Sequence, residues 1–556
     1  MSFSTPIKRD RSHSLSPLPK RRKLSPSRRK GKDLLSHLSD EILLRILSFL
    51  SPPYLLALAP VSHRFYTLTS DSHLWKALYY NNFVLPRALR IPGFRDGGFA
   101  RGFIGEEGGV IMDWKKHYKV RHKWAGGKCE AWSFELGEEE DGIGKGRALI
   151  RVCGTTVVTA DGGKGLCAWD SSEKRGSLLA RVGLGEGTVP SCISVEQVGR
   201  DKNVSDVALG FEDGGFGIWR LFIREKVLVS RYRHEKSSNG ELVEMAYAHP
   251  YLLTATTSVL VSLYTFDVPN TSGEEEVKGS GLVSEYLDSD GEDIEEDCGK
   301  GVLQAPYLLT SLNSHTPRPP LALSIRKTAL AAIASIAYTC STLQGWAIGV
   351  QDLHIRQPAR SRKALPEVTT TRIAYTTPMP SSGASYRRLT PPPTPRRQEC
   401  PSGEDFSRLT EPGPTCLRYT HPYLLATLPD NTLVLYMCTS NASSLSISPG
   451  IRLWGHTSGI SDAQITRRGK VVSVSSRGGE MRAWELEGCT RYGSRRSVEI
   501  RPKKIPAEGS SGDSPTGDVV EIEQWRKSVG FTDEMLIVLN EGNYRGRATM
   551  MVYDFR

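Results

Sequence analysis

Short strand-turn-strand units repeat along the chain after residue 128, and this repetition constrains the fold more than any other feature of the sequence. Several of the units end in an aromatic residue followed by a polar one. The seven units are VVTADGGKGLCAWD, VALGFEDGGFGIWR, YLLTATTSVLVSLYTFD, AIASIAYTCSTLQGWAIGVQDL, YLLATLPDNTLVLYM, KVVSVSSRGGEMRAWEL and MLIVLNEGNYRGRATMMVYDF. One such unit cannot bury both of its faces alone, so the repetition predicts an array of small sheets that cover one another.

The segment HPYLL occurs twice, at His249–Leu253 and at His421–Leu425. Each copy follows one strand-like segment and precedes a turn and another strand, so both are predicted to be the second strand of their sheets. The related PYLL at Pro306–Leu309 leads into the next unit and is predicted to be an outer strand. PYLL at Pro53–Leu56 lies in a helical region and belongs to no β repeat.

The repeated units resemble WD-repeat blades. The segment from Gly455 to Leu486 carries a Gly-His pair, a strand, a glycine turn and a tryptophan, and Asp213-Gly214 matches the tight turn of a blade. The resemblance implies a β-propeller over residues 129–556, expected to have seven blades, with residues 129–136 closing the ring as the outer strand of the last blade. The positions expected to stabilise the blades are Trp169, Asp213, Trp219, His456 and Trp484.

A compact helical module is predicted at residues 33–83. Ser39 is a good N-cap, and the acidic residues that follow it favour the positive end of a helix dipole. Ile42, Ile46 and Leu50 fall on one apolar stripe of this first helix. Two prolines end the helix, and Ser70 or Asp71 is expected to cap a last helix that carries Leu74 and Trp75.

These residues resemble the F-box, over about 45 residues in order, from LSDEILLRILSFL to VSHRFYTLTSDSHLWKAL. The resemblance implies binding to the Skp-type adaptor of a cullin-based (SCF) ubiquitin ligase. The positions that it assigns to the adaptor interface are Leu38, Ile42, Ile46, Leu50, Leu58, Val61, Phe65 and Trp75. The alternative is an ordinary helical bundle whose apolar stripe is internal core, although about 50 residues is small for a self-sufficient core.

A linker is predicted at residues 84–128. Trp114 and Tyr118 lie four residues apart with basic residues between them, which predicts an amphipathic helix like the one that joins F-box and propeller in F-box/WD-repeat proteins. Two insertions are expected to interrupt the propeller as disordered loops, an acidic one at about 271–300 and one rich in Pro, Ser, Thr and Arg at about 356–412.

The net charge of +11 lies almost entirely in residues 1–32, a predicted disordered tail that contributes +10. The rest of the chain is close to neutral, which argues against nucleic acid as a main partner except weakly through the tail. The tail resembles a nuclear localisation signal at Lys20, Arg21, Arg22 and Lys23, so the expected location is the nucleus, the cytoplasm or both.

The sequence contains no catalytic signature and no clustered cysteines among its ten, so we expect no enzymatic activity, no metal and no cofactor. The uncharged stretch Thr328–Gln351 is predicted to be two buried strands rather than a membrane span. The function expected from the two resemblances is substrate recognition in an SCF-type ligase, with an unknown protein target on the propeller. The alternative is a nuclear propeller scaffold in an RNA or chromatin assembly.

Overall fold

The structure, a computed structural model, divides the chain into two compact units, Met1–Leu74 and Trp75–Arg556, which are described separately. The described residues are 35, 37–85, 113–136, 148–172, 176–197, 203–267, 302–313, 318–328, 331–342, 345–356, 366–379, 413–441, 443–477, 479–486, 497–502, 526–541 and 549–556. The predicted tail at 1–32 and the predicted acidic insertion at 271–300 lie outside these residues.

In the described part of the chain, the helices precede the first strand. They are α1 (Asp40–Leu47), α2 (Pro52–Leu58), α3 (His63–Thr69), α4 (Ser72–Tyr79), a π-helical turn (Tyr80–Val84) and α5 (Trp114–Gly126). Helices α1 and α2 both pack against α3. Leu43, Leu47, Leu55 and Leu68 form the buried core of this first unit.

Polar contacts at the helix ends follow the local sequence in part. Ser39 occupies the N-cap of α1 as predicted, but its side chain makes no capping hydrogen bond. Ser62 caps α3 by accepting a hydrogen bond from the Phe65 backbone N–H. Of the two predicted caps for α4, Asp71 is the one that accepts from the helix, through the backbone N–H groups of His73 and Leu74.

The second unit is built from thirty strands among the described residues. In chain order they are β1 (Lys128–Glu135), β2 (Leu149–Cys153), β3 (Thr156–Asp161), β4 (Gly165–Asp170), β5 (Ser177–Val182), β6 (Pro190–Gln197), β7 (Val204–Phe211), β8 (Phe216–Phe222), β9 (Val227–Arg233), β10 (Leu242–Ala248), β11 (Tyr251–Thr256), β12 (Leu260–Thr265), β13 (Tyr307–Asn313), β14 (Arg318–Lys327), β15 (Ala331–Thr342), β16 (Gly345–Arg356), β17 (Glu367–Tyr375), β18 (Cys416–Thr420), β19 (Tyr423–Thr427), β20 (Leu433–Ser440), β21 (Leu445–Ile447), β22 (Ile451–Leu453), β23 (Ile460–Ile465), β24 (Lys470–Ser475), β25 (Met481–Glu485), β26 (Val498–Glu499), β27 (Arg501–Pro502), β28 (Arg526–Phe531), β29 (Met535–Glu541) and β30 (Thr549–Asp554).

These strands form seven antiparallel blades, so the predicted seven-bladed propeller is confirmed. Blades 1 to 4 are β2–β5, β6–β9, β10–β13 and β14–β17, blade 5 is β18–β22, blade 6 is β23–β26, and blade 7 is β28–β30 with β1. The first strand of each blade contacts the first strand of the next, and β28 of blade 7 contacts β2 of blade 1, which closes the ring.

The predictions for the HPYLL repeat are confirmed. β11 and β19, which begin within the two copies, are the second strands of blades 3 and 5. β13, which contains most of the copy at Pro306–Leu309, is the outer strand of blade 3, and Pro53–Leu56 lies in α2. All six residues of β11 are buried, because a neighbouring blade covers each face of the strand.

Seven apolar clusters fill the spaces between neighbouring blades. The space between blades 1 and 2, for example, holds Leu166 and Ala168 against Leu209 and Leu221. Each of these clusters of described residues draws on two blades, so each blade depends on its neighbours.

The structure corrects one insertion boundary. The second insertion was predicted over the whole of 356–412, but β17 lies within that range and pairs with β16 as the outer strand of blade 4. Its threonine-rich, β-branched sequence favours a strand. Residues 380–412, which include most of the proline-rich part, lie outside the described residues.

The uncharged stretch Thr328–Gln351 falls in β15 and β16, an antiparallel pair in blade 4, as predicted. Among the described residues, no helix has the length and apolar character needed to cross a membrane.

Candidate functional site

The first unit exposes an unusual number of large apolar side chains. Ile42 is 50% exposed, Ile46 45% and Val61 64%. Four more large apolar side chains of this unit are more than half exposed, namely Phe49, Tyr54, Leu56 and Tyr66. We call these seven residues the apolar face. Leu43, Leu47, Leu55 and Leu68 are buried within the unit, whereas the seven residues of the apolar face are exposed and available to a partner.

The other sequence-predicted adaptor positions are less accessible. Leu38, Leu50, Leu58 and Phe65 are partly buried. Each of these four residues therefore contributes both to the packing of the first unit and to its surface.

Trp75 does not belong with the exposed residues. It is only 3% exposed, and its ring lies 5.4 Å from that of Tyr118 in an edge-on arrangement. The Lys115 ammonium lies 5.7 Å from the Trp75 ring centre. Trp75 therefore belongs to an aromatic cluster with helix α5, and its assignment to an adaptor surface is corrected: its burial is explained by packing within the second unit.

Helix α5 is fixed to the propeller between blades 6 and 7. Its Trp124 ring stacks on Phe555 at 3.6 Å, and the indole N–H donates to the Asp533 carbonyl at 2.7 Å. The Lys470 ammonium lies 4.1 Å from the Trp124 ring centre. The structure shows a helix that contains Trp114 and Tyr118, and the residues that this helix buries are Val120, Arg121 and Trp124.

Two buried cationic side chains, Arg121 and Lys470, lie where α5 packs against the propeller. Arg121 forms an ion pair with Glu485 of β25. Burial alone would lower the pKa of Arg121, but the Glu485 carboxylate outweighs it and the pKa is raised. Burial lowers the pKa of Lys470 to about 7, although the negative charge of Glu485 opposes this shift.

Of the predicted blade residues, Trp169, Trp219 and Trp484 are buried in strands, whereas Asp213 and His456 are partly buried and lie between strands. The Trp169 indole N–H donates to the Thr159 hydroxyl at 2.9 Å, and Trp219 is 3% exposed. Asp213 accepts a hydrogen bond from the Gly215 backbone N–H at 2.9 Å, which closes the turn between β7 and β8. Gly214 has a φ of +78° in this turn, a conformation that favours glycine.

Blade 6 carries a polar cluster around His456. The His456 Nε2 lies 2.5 Å from the Ser473 hydroxyl, and its Nδ1 lies 3.5 Å from a Glu480 oxygen. The Trp484 ring lies 6.0 Å from the imidazole. Glu480, which directly precedes β25, was not singled out from the sequence. A carboxylate before the third strand was the available signal.

The chain matches two family models. The model described as "F-box protein pof12 beta-propeller" matches residues 143–556, and the model described as "F-box-like" matches residues 35–81. The chain belongs to the pof12-type F-box/β-propeller family. This architecture, an F-box followed by a propeller, is that of F-box substrate-recognition proteins, which are typically non-catalytic adaptors.

Solved structures with a similar fold are distant from this F-box protein. "Structure of U3-55K" shares 10% identity over 76% of this chain and 98% of that chain, with a TM-score of 0.40. The WD40 β-propeller domain of Doa1 shares 10% identity over 77% of this chain and 96% of that chain, with a TM-score of 0.36. No curated protein matches the chain significantly.

The F-box surface extends beyond the residues that the sequence singled out. Phe49 is 75% exposed, and the Arg45 guanidinium lies 5.0 Å from its ring centre. Ile42, Ile46 and Phe49 are spaced i, i+4, i+7, so helical periodicity could have identified Phe49.

The predicted localisation residues Lys20, Arg21, Arg22 and Lys23 lie outside the described residues.

Proposed function

We propose that this protein is the substrate-recognition subunit of an SCF-type cullin ubiquitin ligase. In this role the apolar face of the F-box binds a Skp-type adaptor, and the propeller binds a target protein. The observation that carries the proposal is the exposure of Ile42, Ile46 and Val61, three positions that the F-box pattern assigns to the adaptor.

The energetics favour a covered face. Fully burying one large apolar side chain contributes about 1.5–3 kcal/mol, and the apolar face offers seven that are about half exposed or more. Protein interfaces concentrate their binding energy in a few aromatic and aliphatic side chains at the centre, and Phe49, Tyr54 and Tyr66 are of this kind. An adaptor that covers these residues gains affinity without any charge partner.

The division of labour follows from the two units. The F-box connects the protein to the ligase core, and the propeller presents the target, while transfer of ubiquitin belongs to other subunits. The role requires no metal, cofactor or catalytic residue in this chain. A nuclear or cytoplasmic location stays a prediction from the basic tail.

The proposal is tested by binding of the full chain to a purified Skp-type adaptor. We expect Ile42→Asp/Ile46→Asp to weaken the complex at least tenfold, about 1.4 kcal/mol or more, because two carboxylates would be buried without partners. The matched control is Leu178→Asp on the propeller, since Leu178 is 46% exposed and Ile46 45%.

A wild-type chain that does not bind the adaptor would contradict the proposal. An equal loss of binding in the Leu178→Asp control would show that the double variant acts through general destabilisation. Circular dichroism of all three proteins checks that each remains folded.

A further inference from the structure

The central channel of the propeller contains two cavities, of about 300 Å³ and about 310 Å³. Both are lined mainly by the first strands of the blades, which surround the channel. We name the two faces of the propeller after the direction of these first strands. The first strands begin at the start face and finish at the end face. The cavity of about 300 Å³, the end compartment, is lined by residues toward the end of these strands, including Tyr247, Gln464 and Arg467.

A charged barrier separates the two cavities. Arg418 of blade 5 and Glu244 of blade 3 line both of them. Arg418 lies 3.7 Å from a Glu244 oxygen and 3.1 Å from an Asp462 oxygen of blade 6. Because blades 3 and 5 are not neighbours in the ring, this contact spans the channel.

The carboxylates of the barrier are already engaged, Asp462 above all. Its second oxygen accepts a hydrogen bond from the Val529 backbone N–H at 3.0 Å, and it lines only the cavity on the start side. Among the described residues, the charged side chains that line the end compartment are three arginines, Arg151, Arg418 and Arg467, against one carboxylate, Glu244.

Two of these arginines have donors to spare within the described part of the chain. Arg151 donates to the Ile150 carbonyl at 3.0 Å and forms no ion pair with a described carboxylate. The Arg418 Nε has no hydrogen-bond partner there although it is buried. Burial and the charge of Arg418 lower the pKa of Arg151, so its surroundings disfavour the positive charge. An anion between the two guanidinium groups would satisfy these donors.

We propose that the end compartment of the channel binds a small free oxyanion, a phosphate or carboxylate species, through Arg151 and Arg418. Its volume lies at the low end of the range for ligand pockets, which fits a small ligand better than a protein segment. Ser194, Ser324 and Gln464 also line the compartment and supply neutral hydrogen-bonding groups. This site is independent of the F-box and of the ligase role proposed above.

The test uses the full-length protein with inorganic phosphate and, separately, acetate, at constant ionic strength. We expect saturable binding of at least one of them by calorimetry, with a matching rise in the unfolding temperature. Arg151→Gln should weaken that binding at least tenfold. Arg181→Gln, which changes an exposed arginine on the outer strand of the same blade, should leave it unchanged.

A second variant acts in the opposite direction. Glu244→Gln removes the one carboxylate that lines the end compartment among the described residues and should tighten anion binding several-fold. This variant decides the question if Arg151→Gln does not fold. The proposal is overturned if the wild type binds neither anion saturably, if Arg151→Gln binds as the wild type does, or if Glu244→Gln does not bind more tightly. Preference for phosphate or for acetate identifies the ligand's chemical class.

Discussion

The two histidines of the HPYLL repeat occupy equivalent environments. His249 and His421 each precede a cis proline, and each Nδ1 lies near a tyrosine hydroxyl, 3.3 Å from that of Tyr247 and 3.4 Å from that of Tyr419. Burial and the nearby charge of Arg326 lower the pKa of His421 to about 4. The imidazole is therefore neutral in the folded propeller at neutral pH.

His421 makes the stability of the propeller depend on pH in a defined window. An unfolded histidine takes up a proton near pH 6.5, but the folded His421 does so only near pH 4. The stabilising contribution is thus present above pH 6.5 and is lost as the pH falls toward 4, by about 1.4 kcal/mol per pH unit. We expect His421→Asn to remove this part of the slope in denaturation measured across the window.

The control for this measurement is His122→Asn, which changes an exposed histidine on α5. It should keep the wild-type slope. A slope in His421→Asn that equals the wild-type slope would be the contrary result.

At the scale of elements, α5 is the part of the linker whose attachment has the clearest energetic basis. Its Arg121 side chain is 7% exposed, and the Arg121 guanidinium forms an ion pair with the carboxylate of Glu485. Removing one member of a buried ion pair leaves the other charge buried and uncompensated.

We therefore expect Glu485→Gln to destabilise the second unit by about 3 kcal/mol, measured by chemical denaturation. Glu499→Gln is the matched control in the same blade, because the Glu499–Arg501 pair is exposed to solvent. It should have little effect. Equal effects of the two substitutions would mean that the Arg121 pair does not hold α5 in place.

The sequence predicted the second and third strands of every blade, because an apolar run, a glycine or polar turn and a terminal aromatic residue are local features. It did not predict that Arg121 and Lys470 would be buried beside Trp124, since the burial of a charge depends on neighbours more than 340 residues away. It also missed β17, because the proline-rich segment after this strand suggested a loop. Trp75 was misplaced for a similar reason: its partner Tyr118 lies in a separate helix.

At the scale of the whole molecule, the ring closes through strands from opposite ends of the propeller sequence. β1 pairs with β30 along its length, from Glu130 with Asp554 to Glu135 with Thr549. The short strand β27 adds a parallel pairing with β1 on its other edge, and β26, just before it, pairs with β25 of blade 6. The segment 498–502 thus joins the outer edges of blades 6 and 7.

A fragment that begins where the propeller family model begins, 143–556, lacks both β1 and α5. We expect its unfolding temperature to lie about 5 °C or more below that of a 113–556 fragment. Loss of Val120, Trp124 and Cys129 from the core costs at least about 5 kcal/mol, and each kcal/mol corresponds to about 1 °C in a domain of about 400 residues. Equal unfolding temperatures, measured by calorimetry, would show that β1 does not stabilise the ring.

The pairing of β1 with β30 also determines when the propeller ring can close during translation. Helices α1, α2 and α3 lie within about 30 residues of one another in the sequence. By contrast, Glu135 of β1 can pair only after Thr549 of β30 has been synthesised. At the usual pace of translation, the roughly 400 residues between them take about 20 to 80 s to make. During that interval the nascent propeller has an open last blade with an unpaired strand edge, the period in which chaperones would matter most to this protein.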